Sequence, residues 1–227
     1  MISFDLLEGG VRELNQRLHR LPPNTNERSW RVVNPRGAHA VAAGLTVPIE
    51  VVIDGHVGYY CAGMNKMATV VVNGHCGTGV AENIMSGLVR IKGNASQSAA
   101  ASGRGGMVVI EGDASARCGI SMKGVDIVVG GSLGHMSAFM AQKGHLVVCG
   151  DAGPDLGDSI YEAIIYVQGK VASLGADCIE KEMTREHVDT LRELLRKSGI
   201  EADPKNFRRY GSARKLYHFH VDHADDY

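Results

Sequence analysis

The residues able to do chemistry in this chain are five cysteines, ten histidines, two glycine-rich loops and a few carboxylates. Thiols at Cys61, Cys76, Cys118, Cys149 and Cys178 could act as nucleophiles or metal ligands, and a zinc or iron–sulfur centre needs three or four of them around one point. Their number is odd and no CxxC occurs, which fits reduced intracellular thiols better than a disulfide framework. His218 and His220 alternate, so on an extended chain they share a face, and with His223 close by they could chelate a metal; a solvated tail is the alternative. The loops GHCGTG at 74–79 and GRGG at 103–106 look like phosphate cradles, but such cradles open a helix and no helical pattern follows either one. Asp54 and Glu111 are the carboxylates to weigh for acid–base work.

The element that must position these residues is a repeat. Gly55, Gly74, Gly93, Gly112, Gly131, Gly150 and Gly169 follow one another at intervals of 19. Val51, Val70, Val89, Val108, Ile127, Leu146 and Ile165 keep the same interval, as do Ile53, Val72, Ile91, Ile110, Val129, Val148 and Val167. These are two inward positions of one short strand. Small residues form two more columns, one from Ala62 to Ala176 and one from Gly58 to Ala172, where the chain turns corners. A unit of this size cannot bury its own apolar face and must stack on its neighbours. The fold class is an all-β solenoid, a single-stranded right-handed parallel β-helix of about eight 19-residue rungs with helical N- and C-terminal caps. At a rung spacing of ~4.8 Å the stack is roughly 35 to 40 Å long.

The glycine column ends each strand, where a left-handed turn without a Cβ is expected, so Gly93→Val should be far worse than a change at Lys92. Val32, Ala38 and Ala43 place an imperfect first rung over 30–48. Val11, Leu14, Leu18 and Leu21 recur at helical spacing ahead of Pro22 and Pro23, and Thr184 to Gly199 reads as a second capped helix with Val188, Leu191, Leu194 and Leu195 on one face. FRRYGSARKLYHF has no period and reads as an extended arm on the solenoid or on a partner. The predicted divisions are a helical cap over 1–29, the β-helix over 30–181 and a C-terminal helix and arm over 182–227.

The period also settles which residues can meet. Only Cys61 and Cys118 share a column, three rungs or ~14 Å apart, so no metal site is expected on thiols. His39, His56, His75, His135 and His145 lie on the body; His56 and His75 stack with Asn94 and Asp113 as an exposed polar ladder. Asp54 and Glu111 are also three rungs apart with Asn73 and Lys92 between them, unlike an acidic glycosidase groove. No catalytic, cofactor-binding or metal-binding residue is assigned to this chain.

One outward column needs an explanation. Val52, Val71, Arg90, Val109, Val128, Val147 and Tyr166 alternate with the inward positions, and six of these seven are apolar. A stripe of this length must be covered, by the terminal segments of the same chain or by a partner. The partner is the expectation, with Val109→Glu plus Val128→Glu breaking assembly and sparing the fold.

A chain of 227 residues is one ordinary domain. Its 24 Lys and Arg balance 25 Asp and Glu at a net charge of −1, which excludes a whole-chain basic field for nucleic acid. No run reaches the roughly 18 to 20 apolar residues of a membrane span, and the first residues lack a secretory signal, so a cytoplasmic protein is expected.

The repeats, with GNASQSAAASGRGG (93–106), GHMSAFMAQKG (134–144) and LGDSIYEAIIYVQGK (156–170), resemble the GXGXG domain that forms the C-terminal β-helix of the glutamate synthase large subunit. FDLLEGGVRELNQRLH, GHVGYYCAGMNK, RCGISMKGVDIVVGGSLGHMSAFMAQ and SARKLYHF resemble the stand-alone members of that family, the B subunits of N-methylglutamate synthases (methylamine–glutamate N-methyltransferases). The resemblance covers nearly the whole chain. It implies a scaffold in a hetero-oligomer with a class II glutamine amidotransferase-like subunit and a glutamate synthase-like subunit that carries FMN and an iron–sulfur cluster. It gives the GXGXG domain no catalytic residue. A split-gene glutamate synthase would use the same scaffold, and a self-contained β-helix binding module is the reading from another class.

Overall fold

Alternating β-branched residues over four or five positions make one strand per repeat, and an equal interval between repeats lets each strand lie on the last. The computed structural model describes residues 1–214 and is a parallel β-solenoid flanked by helical segments, matching the expected right-handed β-helix. Its ladder runs through β2 (Ser29–Val33), β3 (Glu50–Asp54), β4 (Thr69–Val72), β5 (Leu88–Ile91), β6 (Met107–Ile110), β7 (Lys123–Val129), β8 (Lys143–Val148) and β9 (Ile164–Val167). Val51 pairs with Val70, Val70 with Val89 and so on to Ile165, and both inward columns from 51 to 167 are fully buried. A second ladder of parallel bridges joins Val57, Cys76, Ala95, Ala114, Leu133, Ala152 and Val171 on another side of the coil.

The first rung departs from the period. Trp30 pairs with Val51 and Val32 with Ile53, so this rung is longer than 19 residues and Val32 sits one inward position later than its spacing suggested. Ala42, not Ala43, takes the buried corner, with φ 55° matching Ala62 at 53°. The corner column is small for a second reason besides space: Ala62, Ala81, Ala100, Gly119 and Ala138 all hold left-handed backbone, where a larger Cβ substituent adds to an existing strain.

The glycine column has a different cause from the left-handed turn expected of it. Only Gly55 of the seven has positive φ, at 131°. At Gly74 a Cβ would stand 2.5 Å from the Gly55 carbonyl oxygen, and at Gly93 it would stand 2.5 Å from His75 Nδ1 and 2.8 Å from the Gly74 oxygen. Backbones of successive rungs approach here closely enough for Gly93 N–H to donate to Gly74 O at 3.0 Å and Gly150 N–H to Gly131 O at 2.8 Å. Glycine is required by contact between rungs.

Both ends of the sheet are finished by the termini, which manage the exposed strand edges of a solenoid. β1 (Ile2–Asp5), not foreseen within the predicted helical cap, adds a parallel strand beneath β2. α1 (Leu6–His19) follows at once, starting earlier than the spacing from Val11 suggested and broken at Gly10 (φ 71°). It seals the first rung: Asn15 donates to Ala40 O at 2.8 Å and accepts from Ala42 N–H at 3.0 Å. At the other end β11 (Arg208–Ser212), the start of the predicted arm, inserts antiparallel between β9 and β10 (Cys178–Lys181). A reversed strand ends the parallel stacking. α2 (Arg185–Ser198) lies between β10 and β11 in sequence, with Thr184 and a left-handed Gly199 as its caps. Among the described residues no helix is long and apolar enough to cross a membrane.

Candidate docking surface

The outward stripe is split in two by α2. Of the apolar face read from the sequence, Leu191, Leu194 and Leu195 pack with Phe207 on Val128, Val147 and Tyr166 as a second hydrophobic cluster, and Val188 stays half-buried outside it. Val109, Val128, Val147 and Tyr166 are each 0% exposed. The expectation of a partner along the whole stripe is therefore corrected for these four: the chain covers them itself, and Val109→Glu plus Val128→Glu would place charge in a core. The reason is geometric. Fourteen helical residues span about 21 Å, close to the ~19 Å of four rung spacings from Tyr166 back to Arg90.

Arg90, the one polar member of the stripe, marks where the cover stops. Its Nη2 donates to the Ser198 carbonyl at 2.5 Å and its Nη1 to Glu111 Oε1 at 2.8 Å, which also receives Lys92 Nζ at 2.7 Å. The guanidinium thus caps the negative end of α2 while Glu111 balances it. Glu111 is held below the usual carboxylate range; burial opposes this, and the hydrogen bonds from Lys92 and Arg90 together outweigh it. Beyond Arg90 the stripe is open. Val52 and Val71 are only half-buried, and beside them Thr69 and Leu88 are half-buried while Met67 and Met85 are 49% and 44% exposed.

The groups weighed for chemistry are spent on the fold. Asp54 binds Arg31 at 2.5 Å and Asn73 at 2.7 Å, and the bonds from Asn73 and Arg31 hold its carboxyl below the usual range. The polar ladder ties one rung to the next. His56 Nδ1 accepts from His75 N–H at 2.9 Å, His75 Nδ1 from Asn94 N–H at 2.8 Å, Asn94 Oδ1 from Asp113 N–H at 3.0 Å and Asp113 Oδ1 from Ser132 N–H at 2.8 Å. Each side chain folds over to the following rung through the space the column glycine leaves free. Asp126 and His145, on β7 and β8, pair at 2.7 Å, and His187 meets Thr184 at 2.6 Å at the start of α2. The glycine-rich loops at 74–79 and 103–106 lie inside rungs, with no helix after them.

Burial pushes the thiols of Cys76 and Cys118 up to about 12 and those of Cys149 and Cys178 up to about 11, so none of these four is a nucleophile at neutral pH. Among the described residues no three of His, Cys, Asp and Glu are grouped to hold a metal ion. His218, His220 and His223 lie outside the described residues.

The terminal-segment alternative for the stripe therefore holds for Val109, Val128, Val147 and Tyr166, with α2 as the segment packed on the last three. The signal was present in Val188, Leu191, Leu194 and Leu195, a face about 10 Å long that matches two rung spacings, and in Arg90 interrupting a run of valines.

No protein-family model matches the chain. It is 60% identical over 228 residues, 100% of both chains, to Protein GlxC of Rhizobium meliloti (strain 1021).

Proposed function

We propose a function from the premise that the chain belongs to the family of Protein GlxC. It is the non-catalytic scaffold subunit of an N-methylglutamate synthase. It docks a class II amidotransferase-like subunit and an FMN and iron–sulfur glutamate synthase-like subunit, and the assembly converts L-glutamate and methylamine to N-methyl-L-glutamate and ammonia. The GXGXG resemblance supplies the partners and the reaction; the stacked architecture supplies the reason for a scaffold. Rungs bonded to one another along the whole stack make a stiff post, which fixes two active sites relative to each other where a flexible linker would not.

The observation that carries this reading is the open end of the outward stripe. Val52 and Val71 continue the column that is covered from Val109 onward, and they lack the cover. They remain the interface residues of the proposal, with Arg90 at its border.

The test is native mass spectrometry of the tagged chain from its own cells grown on methylamine, with an absorption spectrum of the same sample. Two further polypeptides, with flavin and iron–sulfur absorbance that follows the larger on dissociation, are the expected result. A colourless assembly of this chain alone overturns the scaffold and favours a binding module. A coloured complex that aminates 2-oxoglutarate with ammonia and a reductant, and ignores methylamine, points to a split-gene glutamate synthase.

A further inference from the structure

A second surface, beside the open stripe, has chemistry that the fold does not use. At the corner that leads into each strand, Lys66, Arg104, Lys123 and Lys143 are all exposed and come from four different rungs. Lys123 and Lys143 are direct partners in the parallel register of β7 and β8, and Lys123 N–H donates to Gly103 O at 2.7 Å, which sets Arg104 on the rung before. Three cations therefore occupy successive rungs ~4.8 Å apart. Like charges placed directly opposite on adjacent strands destabilise a sheet. Among the described residues none of the four forms an ion pair; Asp126, in the strand, is engaged by His145, and the exposed Glu162, set on the rung after Lys143 by its N–H bond to Gln142 O at 2.9 Å, ends the row of cations. Arg90 and Lys92, by contrast, both bind Glu111.

The ridge is also continuous with apolar surface. Met64, Met67 and Met85 are 44%, 49% and 44% exposed at the same corner of the earlier rungs, and unbranched methionines adapt their shape to a contact. From there the surface passes to Leu88 and Val71 of the open stripe.

We propose that the ridge of Arg104, Lys123 and Lys143, flanked by Met67 and Met85, is the docking site for an acidic helix face on a partner subunit. The inference rests on the scaffold reading and adds to it the place and the charge of one contact. Charge complementarity names the partner: the three cations form no ion pair within the described chain, and carboxylates one helical turn apart rise ~5.4 Å, near enough to the rung interval for long Lys and Arg side chains to meet each in turn. Such contacts act on association rate and selectivity and weaken with salt.

The test uses the full chain with the two partner subunits of the proposed complex, measured by surface plasmon resonance at several salt concentrations. The variants are R104E/K123E/K143E and, as a control on exposed cations elsewhere, R12E/K205E. The ridge variant should bind one partner at least tenfold more weakly and lose most of the salt dependence, at an unchanged melting temperature, while the control binds normally. Equal binding by wild type and ridge variant overturns the ridge and leaves the scaffold standing. No assembly of the wild-type chain with either subunit overturns both, as does ridge-dependent binding to anionic vesicles or duplex DNA in place of the subunits.

Discussion

Arg90 reaches from the third of the stacked valine rungs to the carbonyl of Ser198, 108 positions away in sequence, and closes that contact at 2.5 Å. One guanidinium joins the solenoid to the last turn of α2 and, through Glu111, to the next rung. The border between the covered and the open stripe is set by this side chain.

Replacing Arg90 by Ala should destabilise the chain by about 1–3 kcal/mol, the range for a charge-assisted bond in a partly buried site. Urea unfolding checks the size. Hydrogen exchange checks the place, because the amides of Gly199 and Ile200 should lose protection while those of β4 keep it. Arg90→Lys should recover little, since one ammonium cannot serve Ser198 and Glu111 in the fork geometry.

The two halves of the stripe should respond differently to the same change. Val147→Glu puts a carboxylate into the buried cluster that holds Leu191, Leu194 and Leu195 and should cost on the order of 3 kcal/mol, with α2 becoming open to protease. Val52→Glu or Val71→Glu should leave the melting temperature nearly unchanged and weaken partner binding instead. A stable, protease-resistant Val147→Glu protein would show that α2 does not hold the stripe.

Gly93→Ala tests the contact between rungs apart from any backbone angle. The added Cβ meets His75 Nδ1 and the Gly74 carbonyl, so a loss of about 2–4 kcal/mol is expected. Lys92→Ala, one residue earlier, should cost under about 1 kcal/mol because it removes an exposed ion pair with Glu111. In a His75→Ala background the penalty at Gly93 should shrink without vanishing, because the Gly74 carbonyl stays in place.

His187 gives the start of α2 a pH dependence. Burial, then the nearby Arg209, hold its imidazole below the usual value of 6.5. The unfolded chain therefore takes up this proton before the folded one does. Stability from this group is complete above pH 6.5, declines as pH falls from there towards the folded value, and is level below it. Thermal melts of wild type and His187→Gln across roughly pH 5 to 8 should differ in slope only in the acid part of that range.

The 19-residue interval made the solenoid legible because every rung is stacked in register on the last, so equivalent residues meet the same neighbours and are selected alike. Val51 to Ile165, Ile53 to Val167 and the glycine column carried that information in composition and spacing alone. The reason for the glycines was not in the spacing: positive φ and close approach both exclude a Cβ, and only the placed Gly74 and Gly55 backbones tell them apart. The apolar stripe was legible too, since alternation marks an outward valine as surely as an inward one. What covers it was decided in three dimensions. α2 returns to Val128, Val147 and Tyr166, β11 pairs antiparallel with β9, and Arg90 finds Ser198, all through contacts that repeat nowhere else in the described chain. A contact made once leaves no period to read, and the four residues of β1 leave too short a pattern. The sequence determined the post; the tertiary structure decided which of its faces stays open.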